Sequence, residues 1–170
     1  MTDSYVVVGG GLAAAKAVEA LRTEGYDGEL VLVSAETELP YERPPLSKEF
    51  LLGKKPVEEA RALPPEWYAD NDVRLELGTA AEVLDPSAQT LQLADSRELR
   101  FDKALLATGS APRRLEVPGA DSADLLYLRT IEHAITLKTA IETGGRRVVV
   151  VGGGWIGLEV AAAARTYGNE

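Results

Sequence analysis

The apolar positions of this chain gather into short β-branched runs, most of them leading through a glycine- or proline-marked turn into helix-forming residues. That alternation predicts an α/β fold with a parallel sheet. The stretch that sets the pattern is 5–22, YVVVGGGLAAAKAVEALR, where Val6, Val7 and Val8 suit a strand covered on both faces, a glycine turn follows and a helix begins. A second strand is expected at 30–34. Pro44 and Pro45 then delay any helix to about Leu46 or Ser47, and Ser47 is placed to cap a short helix after it. Residues 62–71 predict a turn and short helix entered through Pro64 and Pro65, with Trp67 and Tyr68 packing inward.

A strand over 73–77 and a small antiparallel meander over 80–101, turning at DPSAQ and ADSRE, interrupt the simple alternation. The run KALLA at 103–107 reads as another strand, leading directly into Thr108, Gly109 and Ser110. Residues 111–123, with Pro112, Pro118 and Gly119, form the expected domain linker. Thr130 is placed to cap a helix from Ile131 to about Thr143, which Gly144 and Gly145 end. The run 146–151 opens a second strand, turn and helix, the helix extending from about Trp155 towards Tyr167 with Gly168 and Asn169 as stop residues.

Two glycine motifs carry the candidate chemistry. In the first, Gly9 lets the chain reverse tightly, Gly11 lets the backbone approach a pyrophosphate with no side chain between, and Ala14 is the small residue where helix and strand pack. The helix N-terminus offers its N–H groups and the positive end of its dipole to that phosphate. Glu36 stands twenty-five residues after Gly11, beside the end of the second strand, where an acid can accept hydrogen bonds from an adenosine ribose. One such motif is weak, since glycine turns also arise for structural reasons. Here VVVGGGWIGLEVAAAAR at 149–165 aligns with 6–22, and Gly152, Gly154 and Gly157 complete GxGxxG, so the pair points firmly to dinucleotides.

Composition narrows the reading further. The 18 basic and 27 acidic residues among 170 leave a formal charge of −9, which disfavours nucleic-acid and anionic-membrane surfaces. With no cysteine, disulfides, thiolate catalysis and cysteine-ligated metal clusters are excluded from these residues, and redox chemistry must come from a bound cofactor. No segment resembles a signal peptide and no apolar run approaches a membrane span, so the expected location is the cytoplasm. His133, the only histidine, reads as a surface or packing residue, and no metal site is expected. Arg43 and Lys48, judged only as basic residues in a polar loop, read as solvated.

With these residues placed, VVVGGGLAAA, VSAE, PYERPPLSKEFL, LATGSAPRRL, YLRTIEHA and VVVGGGWIGLE occur in an order that resembles the pyridine nucleotide-dependent flavoprotein oxidoreductases. Within them the chain is most similar to the N-terminal part of the FAD-dependent ferredoxin reductases that serve oxygenases and cytochromes P450, a group that also resembles apoptosis-inducing factor. The resemblance implies a Rossmann-like FAD-binding domain at 1–112, with a parallel sheet plus an antiparallel meander, and the first part of a second Rossmann-like NAD(P)-binding domain at 113–170. It places Gly9, Gly11, Leu12, Ala13 and Ala14 at the FAD pyrophosphate, Ala35 and Glu36 at the adenosine ribose, and Ala81 at the adenine. Arg43, Lys48 and Arg129 match flavin-binding positions, and Thr108 and Gly109 match a second flavin fingerprint. Gly152, Gly154, Trp155, Ile156 and Gly157 would meet NAD(P)H, with NADH the expected form.

In this family the lysine and glutamate matching Lys48 and Glu159 form an ion pair beside the reactive edge of the flavin, which makes them the candidate catalytic pair. For Glu159 the plainer reading is an ordinary helix residue. Trp155 matches an aromatic at the nicotinamide entrance, with packing against the neighbouring helix as the alternative. The implied reaction moves electrons from NAD(P)H through FAD to a small ferredoxin-type iron–sulfur protein, with docking through Arg113, Arg114, Arg146 and Arg147. Two other readings accompany it: a dinucleotide-binding fragment without turnover, and a flavoprotein that signals by an NADH-dependent conformational change. The segment after about Pro112 is expected to be the less stable part unless another chain covers its sheet edge.

Overall fold

A computed structural model describes residues 3–120 and 125–170, and within them the chain forms two compact units. The first comprises 1–42 and 61–109, the second 43–60 and 110–170. The expected linker at 111–123 lies outside the described residues from 121 to 123.

The first unit contains β1 (Ser4–Val8), α1 (Leu12–Thr23), β2 (Glu29–Ser34), α2 (Pro65–Asp70), β3 (Val73–Leu77), β4 (Ala81–Asp85), β5 (Thr90–Leu93), β6 (Glu98–Arg100) and β7 (Lys103–Leu106). Strands β3, β2, β1 and β7 lie side by side in that order and all run parallel, with Val7 opposite Leu32 and Leu105. Strands β4, β5 and β6 make the expected antiparallel meander. Side chains alternate across the sheet as the two-residue period of a strand requires. Val6, Val8, Val31 and Val33 face Leu91, Leu93, Leu99 and Phe101 of the meander side, while Val7, Leu30 and Leu32 face Ala14, Ala15 and Val18 of α1 and Tyr68 of α2. Each buried valine or leucine contributes roughly 1.5–3 kcal/mol, and the three consecutive valines are apolar because neither face of β1 meets water. Tyr68 is buried and meets Trp67 edge to face at 5.5 Å, as the inward-packing expectation required.

Arg22, at the end of α1, donates to the carbonyls of Tyr26, Gly28, Asn71 and Asp72. One guanidinium thereby fixes the turn into β2 and the turn into β3, and with them the spacing of the sheet.

The second unit holds α3 (Ile131–Ile141) and α4 (Trp155–Thr166). Leu137 and Ile141 of α3 pack with Val160, Ala163 and Ala164 of α4 around Leu51. Thr130 caps α3 as expected, its hydroxyl accepting the His133 N–H at 3.3 Å, and His133 itself is half-buried. Asn169 is fully buried: its amide donates to the Ile141 and Ala164 carbonyls and its oxygen accepts from the Arg146 N–H, joining the ends of both helices.

Two local expectations are corrected. No α-helix directly follows Ser47; Pro44–Ser47 is itself a single 3-10 turn, and further turns lead to a second 3-10 turn at Val57–Ala60. The prolines start a turn at their own positions because their fixed φ suits the first helical residues. The run at 146–151 forms no strand: Val149 and Val151 are 80% and 72% exposed. Val148 donates to the Glu170 carbonyl and Glu170 to that of Arg146, but Val149–151 find no ladder partner among the described residues, and a strand exists only through its neighbours.

Candidate functional site

In a parallel sheet every strand ends on the same side, and the first unit gathers its candidate residues there. Gly9 to Gly11 follow β1, Ala35 and Glu36 follow β2, Gly78 to Ala80 follow β3, and Thr108 and Gly109 come just after β7. Strand order reverses at β1, with β2 on one side and β7 on the other, so the glycine turn sits at the crevice where open α/β sheets receive ligands. The Gly9 N–H donates to the Val33 carbonyl at 2.8 Å and the Ala107 N–H to the Val8 carbonyl at 2.7 Å, continuing the ladder into the turn.

The three glycines of that turn have different reasons to be glycine. Gly9 has φ +148°, and a Cβ on it would overlap the Ala107 carbonyl oxygen. A Cβ on Gly10 would overlap the Ser34 hydroxyl, which also accepts the Glu36 N–H at 3.1 Å. Gly11, the N-cap of α1, has φ −112° and ψ −176°, extended backbone open to any residue, and nothing lies within 4 Å of its added Cβ. The fold therefore does not require glycine at position 11.

The second motif repeats this division. Gly152 has φ +112°, and a Cβ on Gly157 would overlap the Gly152 carbonyl, so both are structural. Gly154, the N-cap of α4, has φ −77° and ψ 173° with open space around it, matching Gly11. Neither α1 nor α4 has a side-chain cap or an acid in its first turn, whereas Thr130 caps α3. Each of the two helix ends thus leaves N–H donors for an anion. Leu12, Ala13, Trp155 and Ile156 are exposed at these ends, and Ala14 is fully buried. Trp155 is 83% exposed.

Sequence reasoning overlooked the residue that steadies Glu36. Tyr41 is fully buried, its hydroxyl donates to Glu36 Oε2 at 2.5 Å, and its backbone bridges to both Gly11 and Arg61. The signal was available as a tyrosine in the polar stretch just after the acid. Ala35 is exposed, and Ala81 opens β4 half-buried. Nearby Thr79 donates its N–H to the Ser34 carbonyl at 3.1 Å, while its buried hydroxyl has no partner.

In the second unit, Arg43 Nη1 donates to the Arg129 carbonyl at 3.0 Å, which joins two of the sequence candidates. Lys48 Nζ lies 3.0 Å from Glu159 Oε1, and the Ser47 hydroxyl donates to Glu159 Oε2 at 2.5 Å. The Ser47 hydrogen bond and then Lys48 hold the Glu159 carboxyl below its ordinary range, against the opposing effect of burial. Each oxygen of the Glu159 carboxylate thus has its own partner. Ser47 was missed as part of this cluster because its sequence neighbourhood suggested a cap.

Residues 3–170 match the family described as pyridine nucleotide-disulphide oxidoreductase, and the chain belongs to that family. It is 42% identical over 166 residues to the anthranilate 1,2-dioxygenase system ferredoxin–NAD(+) reductase component of Burkholderia cepacia, covering 98% of this chain and 41% of that protein. It is 39% identical over 165 residues to putidaredoxin reductase of Pseudomonas putida, covering 95% and 39% of the two. A chain in the crystal structure of the covalent putidaredoxin reductase–putidaredoxin complex matches with a TM-score of 0.92 and 38% identity, covering 98% of this chain and 40% of that one. The chain thus spans about two fifths of the length of the curated relatives it matches. Among the described residues no helix is long and apolar enough to cross a membrane, and no group of metal-ligating side chains is present.

Proposed function

We propose that this chain supplies the FAD-binding and NAD(P)H-binding elements of a ferredoxin reductase, an oxidoreductase moving electrons from NADH through FAD to a ferredoxin-type iron–sulfur protein that serves an oxygenase or cytochrome P450. The observation that carries the reading is the pair of helix-capping glycines, Gly11 and Gly154, which have neither a conformational nor a steric reason to be glycine. A dinucleotide pyrophosphate supplies the reason. The names of the similar proteins, ferredoxin–NAD(+) reductase and putidaredoxin reductase, supply the reaction class.

On this reading residues 1–112 belong to the FAD domain and 113–170 begin the NAD(P)H domain. Gly9, Gly11, Leu12, Ala13 and Ala14 surround the FAD pyrophosphate, Ala35 and Glu36 meet the ribose, and Ala81 meets the adenine. Thr108, Gly109, Arg43, Lys48 and Arg129 serve the flavin end, while Gly152, Gly154, Trp155, Ile156 and Gly157 serve the nicotinamide nucleotide. Bound FAD would accept a hydride from NADH and release electrons singly to the iron–sulfur protein. Lys48 brings a positive charge to the site where negative charge develops, and Glu159 keeps that ammonium in place. Arg113, Arg114, Arg146 and Arg147 are exposed and would supply local positive charge for docking an acidic ferredoxin on an otherwise acidic chain. The compartment consistent with this reaction is the cytoplasm.

A second reading, a dinucleotide-binding module without turnover of its own, is favoured by exposed apolar surface. Leu105 and Leu106 on β7 are 46% and 58% exposed, in addition to the open Val149 and Val151. Reconstitution with FAD, NADH and a ferredoxin separates the two. Ferredoxin reduction supports the reductase reading, whereas FAD binding without it leaves the module.

A further inference from the structure

Glu159 projects from the second turn of α4, and each oxygen of its carboxylate has a different partner. Lys48 Nζ is 3.0 Å from Oε1 and Ser47 Oγ is 2.5 Å from Oε2. Two consecutive side chains of one short segment therefore hold both oxygens of one carboxylate. The segment is stiff at that point, because Pro44 and Pro45 fix its φ angles and the Lys48 N–H donates to the Pro45 carbonyl at 3.1 Å. Leu46 and Ser47 are buried, which anchors the turn.

The Ser47 hydroxyl has one proton and two acceptors in reach, Glu159 Oε2 and the Pro44 carbonyl at 3.3 Å. The carboxylate is nearer and charged, so the charge-assisted bond prevails. No helix begins directly after Ser47, so the hydroxyl has no capping role there.

We propose that Ser47 is a positioning residue for the Lys48–Glu159 pair, its hydroxyl orienting the carboxylate so that Oε1 faces the Lys48 ammonium. The two charges alone do not achieve this. Their side chains are 47% and 26% exposed, and ion pairs of that kind are loosely held and weakly stabilising. Ser47 adds a short directional contact from a buried, stiff turn, and its hydrogen bond is the largest single cause of the lowered Glu159 carboxyl, with Lys48 acting in the same direction. The catalytic meaning of the clamp rests on the proposed reductase reading; the clamp itself is a property of this chain's own residues.

The test is a pH titration of the Glu159 carboxyl by NMR in the 170-residue chain labelled with ¹³C-glutamate, without FAD. Wild type is compared with Ser47→Ala, Ser47→Thr and Ser47→Cys. The expected result is a midpoint that rises in Ser47→Ala, returns towards wild type in Ser47→Thr, and lies between them in the weaker donor Ser47→Cys. An unchanged midpoint in folded Ser47→Ala overturns the proposal. If the alanine variant does not fold, an unchanged midpoint in Ser47→Cys overturns it equally. FAD uptake measured on the same wild-type sample keeps the two questions apart, because failure to take up FAD counts against the reductase reading and leaves the titration to decide the clamp.

Discussion

Tyr41, with no solvent exposure, donates its hydroxyl to Glu36 Oε2 at 2.5 Å, and the same residue bridges by its backbone to Gly11. The acid proposed for the ribose and the turn proposed for the pyrophosphate thus share one support. Tyr41→Phe keeps the ring and removes the bond. We expect it to weaken FAD binding by roughly tenfold, equivalent to about 1.4 kcal/mol, with a stability loss of about 1 kcal/mol. Titration calorimetry and urea unfolding measure the two separately, and unchanged FAD affinity contradicts the shared-support role.

The glycine turn yields a matched pair of substitutions. Gly9→Ala forces a Cβ into the Ala107 carbonyl at positive φ, so unfolding free energy should fall by more than about 3 kcal/mol. Gly11→Ala has allowed dihedrals and open space, so the stability loss should stay within about 1 kcal/mol, the N-cap preference for glycine over alanine. FAD binding should nevertheless be lost in Gly11→Ala. A Gly11→Ala chain that binds FAD like wild type would remove the main support for the proposed function.

The pH dependence of Glu159 has a definite sign. Its folded-state carboxyl titrates below the usual value, held there by Ser47 and Lys48, so its contribution is fully present above the unfolded value of about 4.3 and is lost as pH falls through the folded value. Glu159→Gln should therefore destabilise the chain at about pH 7, by about 1 kcal/mol or less for so exposed a pair. The difference should vanish in acid. Urea unfolding at several pH values checks this, and a deficit that persists below the folded titration contradicts it.

Hydrogen exchange should separate the two valine runs. Val6, Val7 and Val8 are buried between ladder partners on both sides, whereas Val149–151 have none among the described residues. Amide protection at 6–8 should exceed that at 149–151 by several orders of magnitude. Equal protection would mean that the second run finds a partner in solution.

The first unit was largely legible because its signals are local and mutually consistent: three valines, a glycine turn, a meander marked by DPSAQ and ADSRE. Thr130 likewise announced a cap that the structure contains. The 146–151 run misled for the opposite reason. Its residues favour a strand, but strand formation depends on partners that local sequence does not encode. Ser47 was illegible as a support because its contact with Glu159, 112 residues away, exists only in the folded turn, whereas Tyr41 stands five residues from Glu36 and was overlooked. Residue type gave Ser47 a plausible local role as a cap, and tertiary contact gave it a different one.

The most direct measurement is the visible absorption spectrum of the purified chain after incubation with FAD and removal of free cofactor, before and after anaerobic addition of NADH and then NADPH. The expected result is a protein-bound flavin spectrum that bleaches with NADH. A colourless protein, with no flavin retained by folded chain, would contradict the proposed FAD site.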